Sequence, residues 1–262
     1  MEIPAGIIQN GIDAFLLVFI RMTGLFVISP IFGRKNIPVI FKIGFSLLLA
    51  MILINTISVS GLYYYSNIYT YVALVFKEFI VGMIIGFVSY LIFTAVYIAG
   101  QIIDMQVGFG MINVLDPVSN IQAPITSNFY FIMSMLVFLI LNGHHTLIKA
   151  LFDSYKILPL GSATFDNRII TDIFKIFSNL FTIGFKISAP VIATVLITDI
   201  ALGVISKTIP QLNVFIVGMP LKIALGVLVM ILTIPVFISV LDVLINGMNS
   251  DIFSILKDLM PG

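Results

Sequence analysis

Tyr69–Ala99 reads YTYVALVFKEFIVGMIIGFVSYLIFTAVYIA. An apolar run of about 18 residues or more with few charges is a candidate transmembrane helix, but this one is too long for a plain crossing. As a helix it would extend about 46 Å, against a hydrocarbon core of about 30 Å. Tilt alone would have to reach about 50°, beyond the usual range of about 0–40°. Lys77 and Glu78 are sequence neighbours, so on a helix they point about 100° apart and each needs a partner elsewhere. Glu78, Gly82 and Gly86 fall on one i, i+4 stripe. Gly82-Met-Ile-Ile-Gly86 is a small-xxx-small pattern that lets helices approach closely. Ordinary helix packing accounts for the glycines; Glu78 on the same stripe points to a tightly packed, partly polar subunit interface.

Five further apolar stretches flank this one: Ile12–Phe32, Val39–Ile57, Ile125–Leu141, Leu180–Ile205 and Ile216–Ile245. The expected fold is all-α, an integral-membrane multi-helix protein forming one domain over residues 1–262. Pro190, Pro220 and Pro235 fall inside the apolar stretches, so kinked or broken helices are expected there. The chain is 60% hydrophobic and 10% charged, with a mean hydropathy of +1.18. Soluble domains carry about 25% charged residues, so this chain cannot solvate itself without lipid or partners. A net charge of +1 gives no nucleic-acid footprint. The absence of cysteine removes disulfides, thiolate metal sites and thiol nucleophiles. Met1-Glu-Ile-Pro-Ala5 has no basic n-region, so the first stretch is expected to be a retained helix, not a removed signal.

Charge inside these stretches is the informative departure from a plain anchor. Arg21, Lys42, Lys186, Asp199, Lys222 and Asp242 lie within them, and Asp13 near the first edge. Such residues face other helices or an aqueous path, not lipid. In Leu180–Ile205, 14 Leu, Ile, Val or Phe residues contribute roughly −4 to −8 kcal/mol of insertion free energy. Lys186 and Asp199 would offset up to about +5 to +7 kcal/mol of that if both sat centrally. The helix is marginal in lipid alone and better placed against helices that answer its charges. Topology is irregular too. Arg34 and Lys35 favour a cytoplasmic first loop, yet six simple crossings would leave Lys149, Lys156, Arg168 and Lys175 outside, against the positive-inside rule. Either one stretch is a hairpin or the helices do not all cross in the ordinary way.

The segment Gly100–Pro124 carries Gly108 and Gly110, whose backbone freedom suits a turn. Phe109, Met111, Ile112, Val114 and Leu115 around them are poorly suited to a solvated loop. A loop with these side chains either packs statically or fills a constriction and withdraws. In Asn142-Gly-His-His145, the adjacent histidines diverge on a helix and no carboxylate follows at i+4, so a turn or interfacial pair is expected in place of a metal site. Phe165–Leu180 reads as an amphipathic helix, with Ile169, Ile170, Ile173, Phe174, Ile176 and Phe177 opposite Arg168, Asp172, Lys175 and Asn179. A similar short segment, Ile252–Leu259, closes the chain.

Four patches, in order, resemble the FliR family of flagellar type III export-gate subunits and its virulence-injectisome counterparts. They are Gln106-Val-Gly-Phe-Gly-Met-Ile-Asn-Val-Leu-Asp-Pro117, Asn142-Gly-His144, Ser154 with Leu158-Pro159, and Ala201-Leu-Gly203 leading to Pro210-Gln-Leu-Asn-Val-Phe-Ile-Val-Gly-Met-Pro220. The likeness spans essentially the whole chain. It implies a structural, non-enzymatic subunit with no cofactor or metal, assembling with FliP and FliQ, with FlhB and FlhA as further partners. Unfolded substrate proteins would pass through the assembly, in the bacterial inner membrane within the flagellar basal body. Much of such an assembly is lifted from the bilayer plane, which would account for the overlong third stretch. The resemblance also implies a plug loop near Val107–Gln122, comprising Gly108, Phe109, Gly110, Met111, Ile112, Asn113, Val114, Leu115, Asp116 and Pro117. Arg21, Lys77, Glu78, Lys186, Asp199 and Lys222 become inter-subunit or structural charges, with Gly82 and Gly86 packing helices. The FlhB-like continuation of some members is not expected here.

Two other classes compete. A secondary transporter could use Asp13, Arg21, Glu78 and Asp199 as a relay, but that leaves the apolar glycine loop unexplained, and no internal repeat relates the halves. An intramembrane hydrolase could pair Asp104, Asp116 and Asp199, yet no Gly-x-Gly-Asp sequence occurs. No Gly-x-x-x-x-Gly-Lys phosphate loop is present either, so energy for transport would come from elsewhere.

Overall fold

The computed structural model describes residues 5–57, 68–111, 124–209, 211 and 213–261. Among them are seven α-helices and no strand. The helices are α1 (Ala5–Ile28), α2 (Val39–Leu53), α3 (Ile68–Val107), α4 (Ile125–Ile140), α5 (Gly143–Ile157), α6 (Asn167–Thr208) and α7 (Val214–Asp258), with a short 3-10 turn, Phe109–Met111, after α3. Four are long and apolar enough to cross a membrane, or five with α4 and α5 counted as one broken span.

Local chemistry sets the ends. Ser29 precedes a proline, which disfavours helical backbone at that position, and α1 stops at Ile28, short of the expected Phe32. Pro38 and Pro124 stand immediately before α2 and α4, where a missing N–H costs nothing. Asn142 takes the left-handed conformation with φ 56°, tolerated by its short polar side chain. Its carbonyl accepts the N–H groups of His145 and Thr146, which opens α5. This helix was not anticipated, although buried Leu147, Ala150, Leu151 and Ser154 recur at helical spacing.

Three helices outrun their expected limits. The third stretch is one unbroken helix of 40 residues, so it contains no hairpin. The segment expected as a separate amphipathic helix, Phe165–Leu180, is largely the start of the 42-residue α6. The closing segment Ile252–Leu259 is largely the end of the 45-residue α7. Helical backbone continues through Pro190 in α6 and through Pro220 and Pro235 in α7, each proline removing one ladder hydrogen bond. At about 1.5 Å per residue these helices measure about 60, 63 and 67 Å.

Packing divides the chain into two units, and each long helix contributes to both. The first comprises Met1–Leu91, Asn142–Ile176 and Asn246–Gly262. Its core is formed by Leu17, Met22 and Leu25 of α1, Val81 and Ile85 of α3, Leu147 and Leu151 of α5, and Ile252 and Ile255 near the end of α7, all buried. The second comprises Ile92–Leu141 and Phe177–Ile245. There Phe93 meets Phe138 edge to face at 5.4 Å, and Tyr130 stacks on Phe237 at 4.6 Å.

Candidate functional site

In the first unit, α1 and α3 cross with their backbones in contact. A Cβ added at Gly82 would collide with the Arg21 carbonyl oxygen, and one at Gly24 with the Phe79 carbonyl oxygen. At Gly86 it would lie 2.9 Å from the Leu25 carbonyl. The small-residue stripe of α3 therefore packs on α1 of the same chain.

That close approach brings Arg21 and Glu78 together, both 0% exposed, with Arg21 Nε 2.6 Å from Glu78 Oε2. Arg21 Nη1 donates to Ser154 Oγ and the Leu158 carbonyl, both at 3.1 Å, and Nη2 donates to the same carbonyl at 3.1 Å. The guanidinium carbon lies 4.1 Å from the centre of the Tyr155 ring, a cation–π arrangement. The second Glu78 oxygen accepts the Gly161 N–H at 2.7 Å, and Gly161 reaches that position with φ 78°. Charge is buried, and hydrogen bonds answer it from three directions, as low-dielectric burial demands. The pair ties α1, α3, α5 and the turn after α5 together. As a relay it is poorly placed, since both members are sealed from solvent and engaged.

Ser154, Tyr155, Leu158, Gly161 and Gly24 complete this centre, and no role for them was read from the residues themselves. Ser154 and Leu158 belonged to a patch carrying the family resemblance, and their position now has a physical meaning. They present oxygens to Arg21 from the last turn of α5 and just beyond it.

In the second unit, α3 ends at Val107, and Gly108 takes φ 97°, a left-handed value that favours glycine. Phe109 is half-buried and Gly110 exposed. The Met111 backbone closes the 3-10 turn. Ile112, Asn113, Val114, Leu115, Asp116 and Pro117 lie outside the described residues. One turn before the glycine, Asp104 is 6% exposed. Its carboxylate accepts the N–H groups of Thr126 at 2.9 Å and Ser127 at 3.3 Å, and the Ser127 hydroxyl at 3.3 Å. These are orphan donors of the first turn of α4, and the negative charge also suits the positive end of that helix. A Cβ at Gly100 would collide with the Ser127 backbone, so α3 and α4 touch there. Asp104 thus fixes the two points from which the glycine-bearing segment leaves and returns.

Asp199 of α6 and Lys222 of α7 form an ion pair in the same unit, with side chains 41% and 27% exposed. They line a cavity of about 400 Å³ together with Val107, Gly108, Phe215 and Met219. Lys77, half-buried, and Lys186, exposed, have no ion-pair partner among the described residues. The His144 and His145 rings lie 4.2 Å apart in the first turn of α5. Among the described residues, no group of three or more His, Asp or Glu is placed to hold a metal ion. Asp104 and Asp199, two of the carboxylates a hydrolase would pair, are committed to capping α4 and to Lys222 respectively.

Long apolar helices, ion pairs where helices meet and a glycine-bearing segment held at its base define an all-helical polytopic membrane protein. Residues 12–248 match the model of the bacterial export proteins, family 1, and the chain belongs to this family, which it shares with the flagellar biosynthetic protein FliR. It is 38% identical to FliR of Bacillus subtilis (strain 168) over 250 residues, 94% of either chain. Identity to FliR of Escherichia coli (strain K12) is 26% over 251 residues, covering 96% of this chain and 94% of that one. Against FliR of Aquifex aeolicus (strain VF5) it is 28% over 227 residues, 87% of each. The chain is a membrane-embedded component of the flagellar export apparatus.

Proposed function

We propose that this chain is a structural subunit of the type III flagellar export gate, acting by shape and by displacement, not by covalent chemistry. It assembles with FliP and FliQ into the conduit for unfolded substrate proteins, in the bacterial inner membrane within the basal body. FlhB and FlhA contact the assembled gate. The segment from Gly108 to about Gln122 is the plug that closes the conduit, and Phe109 with the apolar residues after it supplies the seal.

The observation carrying this reading is the mismatch between helix length and helix cover. Helices of 40, 42 and 45 residues are twice what a hydrocarbon core of about 30 Å requires. They nevertheless leave apolar side chains exposed from Ile170 to Ile205 along α6 and from Phe215 to Val243 along α7, stretches of about 52 and 42 Å. Exposed apolar surface beyond bilayer length calls for sister subunits as its cover. The base of the plug is suited to its task, because a segment closes a channel reproducibly only when its ends are held, and Asp104 ties the last turns of α3 to the first turn of α4.

Deleting residues within Gly108–Val114 tests the plug. The assembled complex in vesicles should leak ions or small solutes, and an unchanged, tight complex would count against the assignment. The transporter alternative gains nothing from Arg21 and Glu78, which are buried and bonded to each other and to their surroundings.

A further inference from the structure

Lys186 lies in the middle of α6, about 28 Å from one end of that helix and about 33 Å from the other. It lines a groove of about 360 Å³ whose walls include Ile183, Val236, Val240, Val243 and Leu244. The remaining polar group there, the Ser239 hydroxyl, is already bonded to the Pro235 carbonyl at 3.0 Å. Lys222 shows the contrast, because the same two helices supply Asp199 to answer it. Among the described residues nothing pairs with the Lys186 ammonium. A second shortage falls on the same residue. The carbonyl of Lys186 would accept the N–H of the residue four positions on, and that residue is Pro190, which has none. One position in an apolar groove therefore offers a cationic donor and an acceptor deprived of its regular helical bond.

We propose that this groove seats an apolar transmembrane helix of another subunit of the export complex. That helix carries an aspartate or glutamate for the Lys186 ammonium and, within about one turn, a side-chain N–H or O–H for the Lys186 carbonyl. The inference rests on the reading of the chain as a gate subunit and names the chemistry of one neighbour. Complementarity selects a helix over a lipid headgroup. A lipid headgroup could answer the ammonium, but lysines reach the headgroup layer chiefly from near helix ends, and Lys186 lies in the middle of α6. An acidic helix supplies both groups and fills an apolar groove with its own side chains.

The test uses the complex purified from membranes through a tag on this chain, with a photoreactive phenylalanine analogue replacing Val240. Illumination should couple Val240 to a peptide of a different subunit that contains Asp or Glu in an apolar stretch. Lys186→Glu should then reduce recovery of that subunit about tenfold, Lys186→Met less so. Converting the mapped carboxylate to lysine in the Lys186→Glu background should restore recovery, which a merely misfolded chain would not show. Coupling to lipid, to a second copy of this chain or to a segment without a carboxylate overturns the proposal, as does full recovery with Lys186→Glu. If the complex is retrieved while the groove couples only to lipid, the groove proposal fails and the gate reading stands. If no complex is retrieved at all, both fall.

Discussion

Arg21–Glu78 and Asp199–Lys222 are both ion pairs between apolar helices, and they are held in opposite ways. The first is wholly buried, clasped by Ser154, the Leu158 carbonyl, Gly161 and the Tyr155 ring. The second stays half open beside a cavity of about 400 Å³. A buried pair whose charged groups are hydrogen-bonded on both sides is intolerant of losing one member. An exposed pair contributes little to stability and can be altered without unfolding the chain. Charge in these helices thus serves two ends. One pair holds the fold, and the other sits where α6 and α7 line accessible space.

The largest effect should come from breaking the closed centre. Glu78→Ala leaves the Arg21 guanidinium buried without its counter-charge, which costs about 3–5 kcal/mol. The yield and melting temperature of the purified complex should both fall. Arg21→Met combined with Glu78→Met should recover most of the loss, because two apolar side chains leave no orphan charge. A double variant as poor as Glu78→Ala alone would show that the hydrogen bonds to α5, and not the charge balance, dominate. Gly82→Leu attacks the same centre through its backbone contact, since any side chain there meets the Arg21 carbonyl. Forcing α1 from α3 should cost about 1–3 kcal/mol, read as a lower melting temperature.

Asp104→Ala should be milder. It removes the cap of α4, worth about 0.5–2 kcal/mol, while leaving the Arg21 centre intact. Its diagnostic is faster proteolysis within residues 108–124 at nearly unchanged complex yield; unchanged cleavage would mean that Asp104 does not hold the base of the segment. Lys222→Met should have the smallest effect, about 1 kcal/mol or less for a partly solvated pair. A loss as large as that of Glu78→Ala would erase the distinction between the two centres.

The helices were readable because an apolar run is a local property. Each of the six stretches falls on a helix, although α1 stops at Ile28 and α2 at Leu53, short of the expected Phe32 and Ile57, and the first eight residues of the segment Gly100–Pro124 belong to α3, which ends at Val107. Reading each stretch on its own hid the continuity of α6 and α7. Polar residues in Phe165–Leu180 lowered the apolar signal without interrupting helical backbone. α5 escaped for a similar reason, because its histidines, lysines and aspartate mask a short buried face. Charge partners were not readable at all. Arg21 finds its partners 57, 133 and 137 residues away, and sequence spacing does not rank candidates at such separations. Glu78 on the glycine stripe suggested a neighbouring subunit, whereas the stripe meets α1 of its own chain. Asp104 was weighed as a catalytic carboxylate because its capping role depends on a helix that starts some twenty residues later.

The most direct test is to tag this chain of 28.9 kDa, extract it from bacterial membranes in mild detergent, and determine the mass and composition of what is retrieved. A sheathed gate subunit should emerge in one stable complex with other helical membrane proteins of the export apparatus, and should lose solubility when they are absent. A well-behaved single chain that moves a small solute across vesicles by itself would contradict this.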